Sequence, residues 1–497
     1  MPMPLSDLSP ERVRELAAQL GGDLSRDEAE RYADRIAADL AGYAALDDLW
    51  RDVDRDRAPA DVTVDPGPDE DPHNAYLATF EMGDGSGPLA DLDVALKDNV
   101  AVAGVPLTCG SRVFEHATPG RHATVVRRLL DAGATLVGKT NMDELAYAPT
   151  GETSQFGSTS NPADPDHVAG GSSSGSGAAV GAGDVDAALG TDTGGSVRIP
   201  ASFCGVVGFK PSYGVVPRTG VVDLSYSLDH VGVLARDVET AARTVDAMAG
   251  PDYRDQPSAN ARRVDLPTAP ALDDVALDEV SLGMPRELCG DHVDDAVRSH
   301  VEDVVDDLSD RGVDVDPVSL PTVEDAVAVW NAVVNVELAS SLLASGVPVA
   351  RRQSVDPTWY DAAADAVAAR GHAFGEKVRE TTIVGAHLLD RYGGRHYTRA
   401  QAVRDRLRAE VDDALDGRDA LVSPTMPTTA PALGEHRRAD RPVPLAFNTR
   451  PADLAHVPAV SLPCGTVDDL PVGLQLYGGR YQDGHLLGVA SAVADRL

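Results

Sequence analysis

Residues 170–204 have the sequence GGSSSGSGAAVGAGDVDAALGTDTGGSVRIPASFC, and this stretch decides the fold class of the chain. The run from Asp186 to Gly190 has the length of a β-strand. The segment from Thr191 to Ser196 breaks this run at once and is typical of a turn that leads into a helix. The order of strand, glycine-rich turn and helix predicts an α/β protein in which Ser196 lies on a tight turn.

Two adjacent glycines in this turn suggest a catalytic role for Ser196. Glycine has no Cβ, so the backbone can turn sharply and several N–H groups can point to one place. Such donors stabilise the oxyanion that forms when a serine hydroxyl attacks a carbonyl group. We therefore predict an oxyanion hole built from the backbone of Thr193, Gly194, Gly195 and Ser196.

A serine nucleophile needs a base, and the candidate is Lys97, which follows the mostly apolar run Leu92 to Leu96. A lysine can accept a proton only when it is neutral, so burial must lower its pKa from about 10.4 to near 7. Asp98 is expected on the opposite face of the strand, because side chains alternate. Only four of the 43 basic residues are lysines, which favours a chemical role for Lys97 over a surface ion pair.

Five longer motifs occur in a fixed order along the chain. They are LDVALKDNVAVAGVP, GKTNMDELAY, AGGSSSGSGAAV, GTDTGGSVRIPASFCGVVGFKPSYG and PAVSLPCG. Over residues 75–497 the chain resembles the amidase signature family of Ser-Ser-Lys amide hydrolases. The resemblance implies an α/β fold with a large mixed β-sheet covered on both faces by helices. The helical pattern of the residues before it adds a small N-terminal helical region.

The resemblance also implies a role for each site residue. Ser196 corresponds to the nucleophile, Ser172 to the bridging serine that follows a cis peptide bond, and Lys97 to the base. Ser173 and Asp192 are expected to support the site. The family needs no metal and no organic cofactor, so we expect none here.

The chain is expected to have three parts. Residues 1–57 form an N-terminal helical region, in which Ser25-x-x-Glu28 is a capping box. Residues 58–72 are acidic and rich in proline, which is typical of a linker. Residues 73–497 form the catalytic domain.

Apolar runs separated by helical stretches predict the strands of the catalytic sheet. The region from about 321 to 408 is expected to be mainly helical and, as in similar enzymes, to line the acyl pocket. The predicted strands lie at 92–96, 134–137, 187–189 and 206–209, and near 281, 313, 421 and 474.

Two shorter motif matches are rejected. Residues 133–140 fit the P-loop pattern, but a helical stretch precedes them and the middle of the match is a predicted strand. Residues 171–175 fit G-x-S-x-G, but no apolar strand precedes them. The thirteen histidines and four cysteines show no metal-binding spacing, so we assign none to a metal.

The composition indicates where the protein works. A net charge of −36 and a pI near 4.5 are typical of a halophilic protein with an acidic surface. This charge disfavours contact with nucleic acid or anionic lipid. No run of ~18 apolar residues and no signal peptide was recognised, so we expect a cytoplasmic protein.

The leading functional prediction is a stand-alone amidase that hydrolyses a small linear amide to a carboxylate and ammonia. Its expected partners are a small-molecule amide and a second copy in a homodimer, with no nucleic acid and no membrane. The segment FNTRPADLAHVPAVSLPCG and the separate N-terminal helical region favour this prediction.

The alternative is the A subunit of a glutamyl/aspartyl-tRNA amidotransferase, which resembles the chain in the same motifs. Such a protein releases ammonia from glutamine for its partner, the B subunit, and the segment KTNMDELA favours it. A non-catalytic relative that acts as a binding protein is least favoured, because no triad position is substituted.

Overall fold

The structure is a computed structural model of the chain. It describes residues 8–19, 21–51, 55–259, 272, 275–345, 356–435 and 444–497. The chain forms two compact units, Met1–Asp56 and Arg57–Leu497.

In its described residues, the first unit contains the helices α1 (Pro10–Gln19) and α2 (Arg26–Arg51). The predicted capping box at the start of α2 is present, because the Ser25 N–H donates to Glu28 at 2.9 Å and the Glu28 N–H donates to Ser25 Oγ at 3.3 Å. These reciprocal bonds satisfy N–H groups that a helix start leaves without partners.

The second unit is built on a mixed sheet of twelve strands within the described residues. Their spatial order is β1-β2-β4-β3-β5-β7-β6-β11-β12-β10-β8-β9. In chain order, the strands are β1 (Val62–Val64), β2 (Tyr76–Met82), β3 (Asp93–Lys97), β4 (Thr135–Thr140), β5 (Ala187–Asp192), β6 (Val207–Lys210), β7 (His230–Ala235), β8 (Ser281–Pro285), β9 (Asp314–Val318), β10 (Ala420–Pro424), β11 (Ala459–Val467) and β12 (Leu470–Tyr477).

Helices connect these strands and bury apolar side chains against the sheet. The α-helices among the described residues of this unit are α3 (Thr124–Asp131), α4 (Ser174–Ala182), α5 (Arg198–Cys204), α6 (Val238–Met248), α7 (Asp295–Asp310), α8 (Ala326–Ser345), α9 (Pro357–Arg370), α10 (Glu376–Tyr392), α11 (Arg395–Leu415), α12 (Arg450–Ala455) and α13 (Asp483–Ala494).

The predicted α/β class with a large mixed sheet is confirmed. Strand β3 runs parallel to both β4 and β5, whereas β5 and β7 are antiparallel. The parallel arrangement brings the carboxyl ends of β3 and β5 to one edge of the sheet. Lys97 ends β3 there, and the turn that carries Ser196 follows β5.

The structure differs from the expected linker at one point. Strand β1 lies within residues 58–72 and pairs antiparallel with β2, with Thr63 opposite Thr79. The sequence Val-Thr-Val offers β-branched residues that favour a strand, although proline and aspartate dominate the segment around it. The proposed boundaries at 57 and 72 stay predictions.

One described segment, Pro321–Leu343, is long and apolar enough to cross a membrane by length and composition alone. Asn331, Asn335 and Glu337 interrupt the apolar run, so an uninterrupted stretch of apolar residues does not reveal this segment in the sequence. Half of the apolar window is buried, and Glu337 accepts a hydrogen bond inside the unit from Ser225 at 2.6 Å. These contacts are typical of a core helix, which can be as long and as apolar as a membrane-spanning helix.

Candidate active site

Lys97 lies at the carboxyl end of β3 and is completely buried. Its Nζ atom donates to Ser172 Oγ at 2.8 Å and to Thr191 Oγ1 at 2.9 Å. Thr191 belongs to β5, the parallel neighbour of β3, so the sheet itself fixes this contact. The structure therefore joins two members of the predicted triad directly.

Burial lowers the pKa of Lys97 from its ordinary value of 10.5 to about 7, in agreement with the expectation from sequence. Three carboxylates, those of Asp143, Asp192 and Asp229, oppose this effect. From the sequence, Asp98 is the one anion expected near Lys97, because these three carboxylates belong to distant segments of the chain. Asp98 instead pairs with Lys139 at 2.8 Å.

We expect the rate of amide hydrolysis to depend on the protonation of Lys97. Its pKa of about 7 means that the neutral base forms as the pH rises through neutrality. The value of kcat/KM should therefore increase up to a pH of about 7 and become constant above it. Ammonia release measured between about pH 5.5 and 8.5 checks this. A rate that is constant or falls over this range would contradict a base role for Lys97.

Ser172 begins the turn that precedes α4. The peptide bond between Gly171 and Ser172 is cis, as the resemblance implies. Ser173 Oγ accepts a hydrogen bond from the Thr191 N–H at 3.3 Å, and the Ser173 N–H donates to the Ser196 carbonyl at 3.2 Å. Ser173 therefore ties the turn of Ser172 to strand β5 and to the turn of Ser196.

Ser196 lies on a tight turn between β5 and α5, as the sequence predicts. Asp192 organises this turn by accepting from the Gly195 N–H at 2.6 Å and from the Val197 N–H at 3.1 Å. Gly195 has a φ of 125° and a Cβ there would collide with Thr449, so only glycine fits. Asp192 is thus placed to hold the backbone on both sides of Ser196.

The carbonyl groups of the turn are held from outside by two side chains. Trp330 Nε1 donates to the Thr193 carbonyl at 2.8 Å, and Thr449 Oγ1 donates to the Gly194 carbonyl at 2.6 Å. Within the described residues, the N–H groups of Thr193, Gly194 and Ser196 have no protein acceptor. These three donors are therefore free to bind an oxyanion.

The structure corrects the prediction for Gly195. Its N–H was expected to join the oxyanion hole but is directed to Asp192. Sequence could not show this, because the direction of each N–H depends on how the turn closes on the carboxylate. We therefore retain three of the four predicted donors.

A buried arginine that the sequence analysis did not single out supports the same turn. Arg198 donates to Asp192 Oδ1 and Oδ2 at 3.0 Å, and to Asp453 Oδ2 at 2.7 Å. Burial alone would raise the pKa of Asp192, but Arg198 overrides it and lowers that pKa to about 2. Asp192 is therefore charged at neutral pH. Arg198 is the one charged residue of helix α5, and this was the signal in the sequence that could have revealed the pair.

Replacing Arg198 by methionine should destabilise the protein strongly. The substitution leaves the Asp192 and Asp453 carboxylates buried without their cation, which costs about 3–5 kcal/mol in comparable sites. Denaturant unfolding of the two proteins in the same salt measures the difference. Arg311→Met is the matched control, because the Arg311–Asp307 pair is exposed and should contribute little. Equal effects of the two substitutions would contradict the structural role of Arg198.

Ser196 opens onto a cavity of about 920 Å³, a size typical of small-molecule sites. Helices α8 and α10 form much of its wall, in agreement with the expected helical lining from residues 321–408. Residues that line the cavity include Tyr147, Ile199, Trp330, Asn335, Lys377 and Arg450.

The other sequence candidates lie outside this site. The P-loop match at 133–140 coincides with β4, so its middle is a strand and not a phosphate-binding turn. Among the residues that the structure describes, no group of three or more His, Cys, Asp or Glu side chains could hold a metal ion. Burial raises the pKa of the Cys204 thiol, which makes it a poor nucleophile.

The family model described as Amidase matches residues 71–487 of this chain. The chain belongs to the amidase signature family. This confirms the family that the sequence motifs indicated, whose members are enzymes. The first 70 residues of the chain lie outside the match.

Two relatives of this chain within the family carry the same name. The A subunit of the glutamyl-tRNA(Gln) amidotransferase of Haloarcula marismortui is 43% identical over 430 residues, which cover 85% of this chain and 99% of the relative. The corresponding protein of Natronomonas pharaonis is 44% identical with the same coverage.

Solved structures of the family have the same fold. The A subunit of the glutamyl-tRNA(Gln) amidotransferase from Thermotoga maritima has a TM-score of 0.71 at 34% identity and covers 86% of this chain and 88% of its own. The peptide amidase from Stenotrophomonas maltophilia has a TM-score of 0.69 at 30% identity, covering 82% and 83%.

These relatives correct the leading functional prediction. The prediction of a stand-alone amidase that acts on a small amide is wrong, because relatives at 39–44% identity are named as the A subunit of an amidotransferase. The expected partners, a small amide and a second copy without nucleic acid, are wrong for the same reason. The motifs that carry the resemblance occur in both branches of the family, so they could not separate the two functions.

Proposed function

We propose that this chain is the ammonia-releasing A subunit of a glutamyl-tRNA(Gln) amidotransferase. It hydrolyses the side-chain amide of glutamine at Ser196 and supplies the ammonia to a partner protein. The buried contact of 2.8 Å between Lys97 Nζ and Ser172 Oγ carries the chemistry of the proposal. The similarity to an amidotransferase component over 99% of that relative's length supports the choice of substrate and partner.

The first step forms an acyl-enzyme. Neutral Lys97 accepts the proton of Ser172 Oγ, which in turn accepts the proton of Ser196 Oγ. Ser196 Oγ attacks the amide carbon, and the new oxyanion accepts hydrogen bonds from backbone N–H groups of the turn. The C–N bond then breaks as Ser172 returns a proton to the leaving nitrogen, so ammonia departs and glutamate stays esterified to Ser196.

The second step uses the same groups with water. The relay removes a proton from a water molecule, which attacks the ester carbon and again forms an oxyanion. Collapse of this intermediate releases glutamate, and the proton returns to Ser196 Oγ. The proposed reaction takes place in the cytoplasm, where tRNA is aminoacylated.

Reconstitution with partner proteins tests the proposal. The other components of the Haloarcula marismortui enzyme are purified without the relative of this chain and are assayed on glutamyl-tRNA(Gln) in concentrated KCl. This chain should restore amidation of the tRNA when glutamine is the only nitrogen source. The salt is chosen because the net charge of −36 indicates a protein that requires it.

Two controls define the outcome. Ammonium chloride should support amidation with the Ser196→Ala variant, whereas glutamine should not, because only the release of ammonia depends on Ser196. The Haloarcula marismortui relative of this chain shows that the partners are competent. If that relative restores amidation with glutamine and this chain does not, while this chain alone also releases no ammonia from glutamine, the proposal is overturned.

A further inference from the structure

Arg450 carries a positive charge into the wall of the cavity that contains Ser196. Its guanidinium makes no hydrogen bond and no ion pair within the described part of the chain, and its Nε atom is buried without a partner. Its carbon atom Cζ lies 4.4 Å from the centre of the Trp330 ring. A partly buried guanidinium that lacks an acceptor is unfavourable, which indicates that a ligand supplies one.

The position of Arg450 relative to the nucleophile is fixed by the backbone around it. Thr449, the preceding residue, donates to the Gly194 carbonyl at 2.6 Å. A Cβ placed on Gly194 would lie 3.3 Å from Arg450 Cγ and 2.7 Å from Trp330 Nε1. The side chain of Arg450 therefore packs directly against the turn that presents Ser196.

Among the described residues that line the cavity, Arg450 is the cation without a charged partner. Lys377 also lines the cavity, but it pairs with Glu380 at 3.0 Å. Glu144 has both oxygens engaged, by Ser111 at 2.6 Å and by the Gly375 N–H at 2.8 Å. The remaining charged groups of the described lining are acidic, so an anionic ligand gains its attraction at Arg450.

We propose that Arg450 binds a carboxylate on the acyl part of the substrate and thereby selects amides that carry one. This inference rests on the proposed function, since glutamine is such an amide, and it names the residue that recognises its carboxylate. A guanidinium offers two parallel N–H groups to a carboxylate, and the Trp330 face keeps its plane in place. Arg450 lies in the segment FNTRPADL, which the catalytic relay does not use.

Matched substrates test the inference. Glutaramate is glutamine without the amino group, and pentanamide is its counterpart without the carboxylate. We expect the wild-type protein to prefer glutaramate by about 100-fold in kcat/KM. Arg450→Gln should remove this preference mainly through a higher KM for glutaramate, with little change for pentanamide. Arg450→Lys should restore part of it, because a cation is again present.

A binding measurement keeps the test independent of turnover. Glutaramate is titrated into the Ser196→Ala protein and into the Ser196→Ala, Arg450→Gln double variant. The double variant should bind glutaramate at least about 20-fold more weakly. Thermal unfolding of each variant in the same salt verifies that it is folded. Equal binding by the two proteins, or an equal loss of rate on both amides, overturns the role of Arg450.

The outcomes separate this inference from the proposed function. If Arg450→Gln does not change the hydrolysis of glutamine, the role of Arg450 is contradicted and the proposed function still stands. The protein could instead hydrolyse glutaramate in an Arg450-dependent way but fail to hydrolyse glutamine, both alone and with partner proteins. This result would contradict glutamine as the substrate and would support the carboxylate site.

Discussion

Replacing Ser196 by alanine is expected to lower ammonia release from glutamine by at least about 10⁴-fold, because alanine lacks the hydroxyl oxygen that forms the acyl-enzyme. The turn should keep its shape, since Asp192 holds it through the N–H groups of Gly195 and Val197 and not through the Ser196 hydroxyl. The measurement is ammonia release in concentrated KCl, with thermal unfolding to compare stability.

Ser202→Ala is the matched control for this substitution. Ser202 is buried in α5, only six residues after Ser196, and does not line the cavity. We expect this variant to keep most of its activity. Similar losses in the two variants would show that the helix, and not the Ser196 hydroxyl, determines the rate.

Lys97→Met should reduce the rate by about 10³-fold, because the relay then has no base to accept the proton of Ser172. Methionine fills a similar volume without the cost of burying a charge, so we expect the fold to persist. The rate that remains should no longer increase with pH through about 7, the pKa of Lys97. Ammonia release by both proteins at several pH values tests this. A variant that keeps the wild-type pH profile would contradict the assignment of the base.

The same variant should change how stability depends on pH. Between about 7 and 10.5, Lys97 is neutral in the folded protein and protonated in the unfolded chain. The unfolded state then binds more protons, so the Lys97 contribution makes the free energy of unfolding rise with pH across this range. Denaturant unfolding at several pH values should show a smaller rise for Lys97→Met than for the wild type.

Much of the sheet could be predicted from apolar runs. All eight predicted strands coincide with observed ones, including β3, which ends at Lys97, and β5, which precedes the Ser196 turn. These runs are short, bounded by turn residues and buried by helices, so the local pattern carries the information.

Four strands were not predicted, and neither was the order of the sheet. The segments concerned are Val62–Val64, Tyr76–Met82, His230–Ala235 and Ala459–Val467. Short apolar runs do not by themselves distinguish a strand from a buried connection. Strand β6 lies between β7 and β11, and such pairing of distant segments depends on the packing of the whole unit.

The candidate site could likewise be predicted only in part from the sequence. The resemblance supplied Lys97, Ser172 and Ser196, and the structure brings the first two into contact. Trp330 and Arg450 were not predicted. They approach the Ser196 turn from segments more than 130 residues away, and the sequence does not show that these segments meet the turn.

The account's central claim is that glutamine forms an ester with Ser196. The most direct measurement is an acid quench of the protein during turnover of L-glutamine labelled on its side-chain carbonyl carbon, followed by peptide mapping. We predict label on the peptide that contains Ser196 and none in the Ser196→Ala variant. Release of ammonia with no label on Ser196, or with label on another residue, would contradict the account.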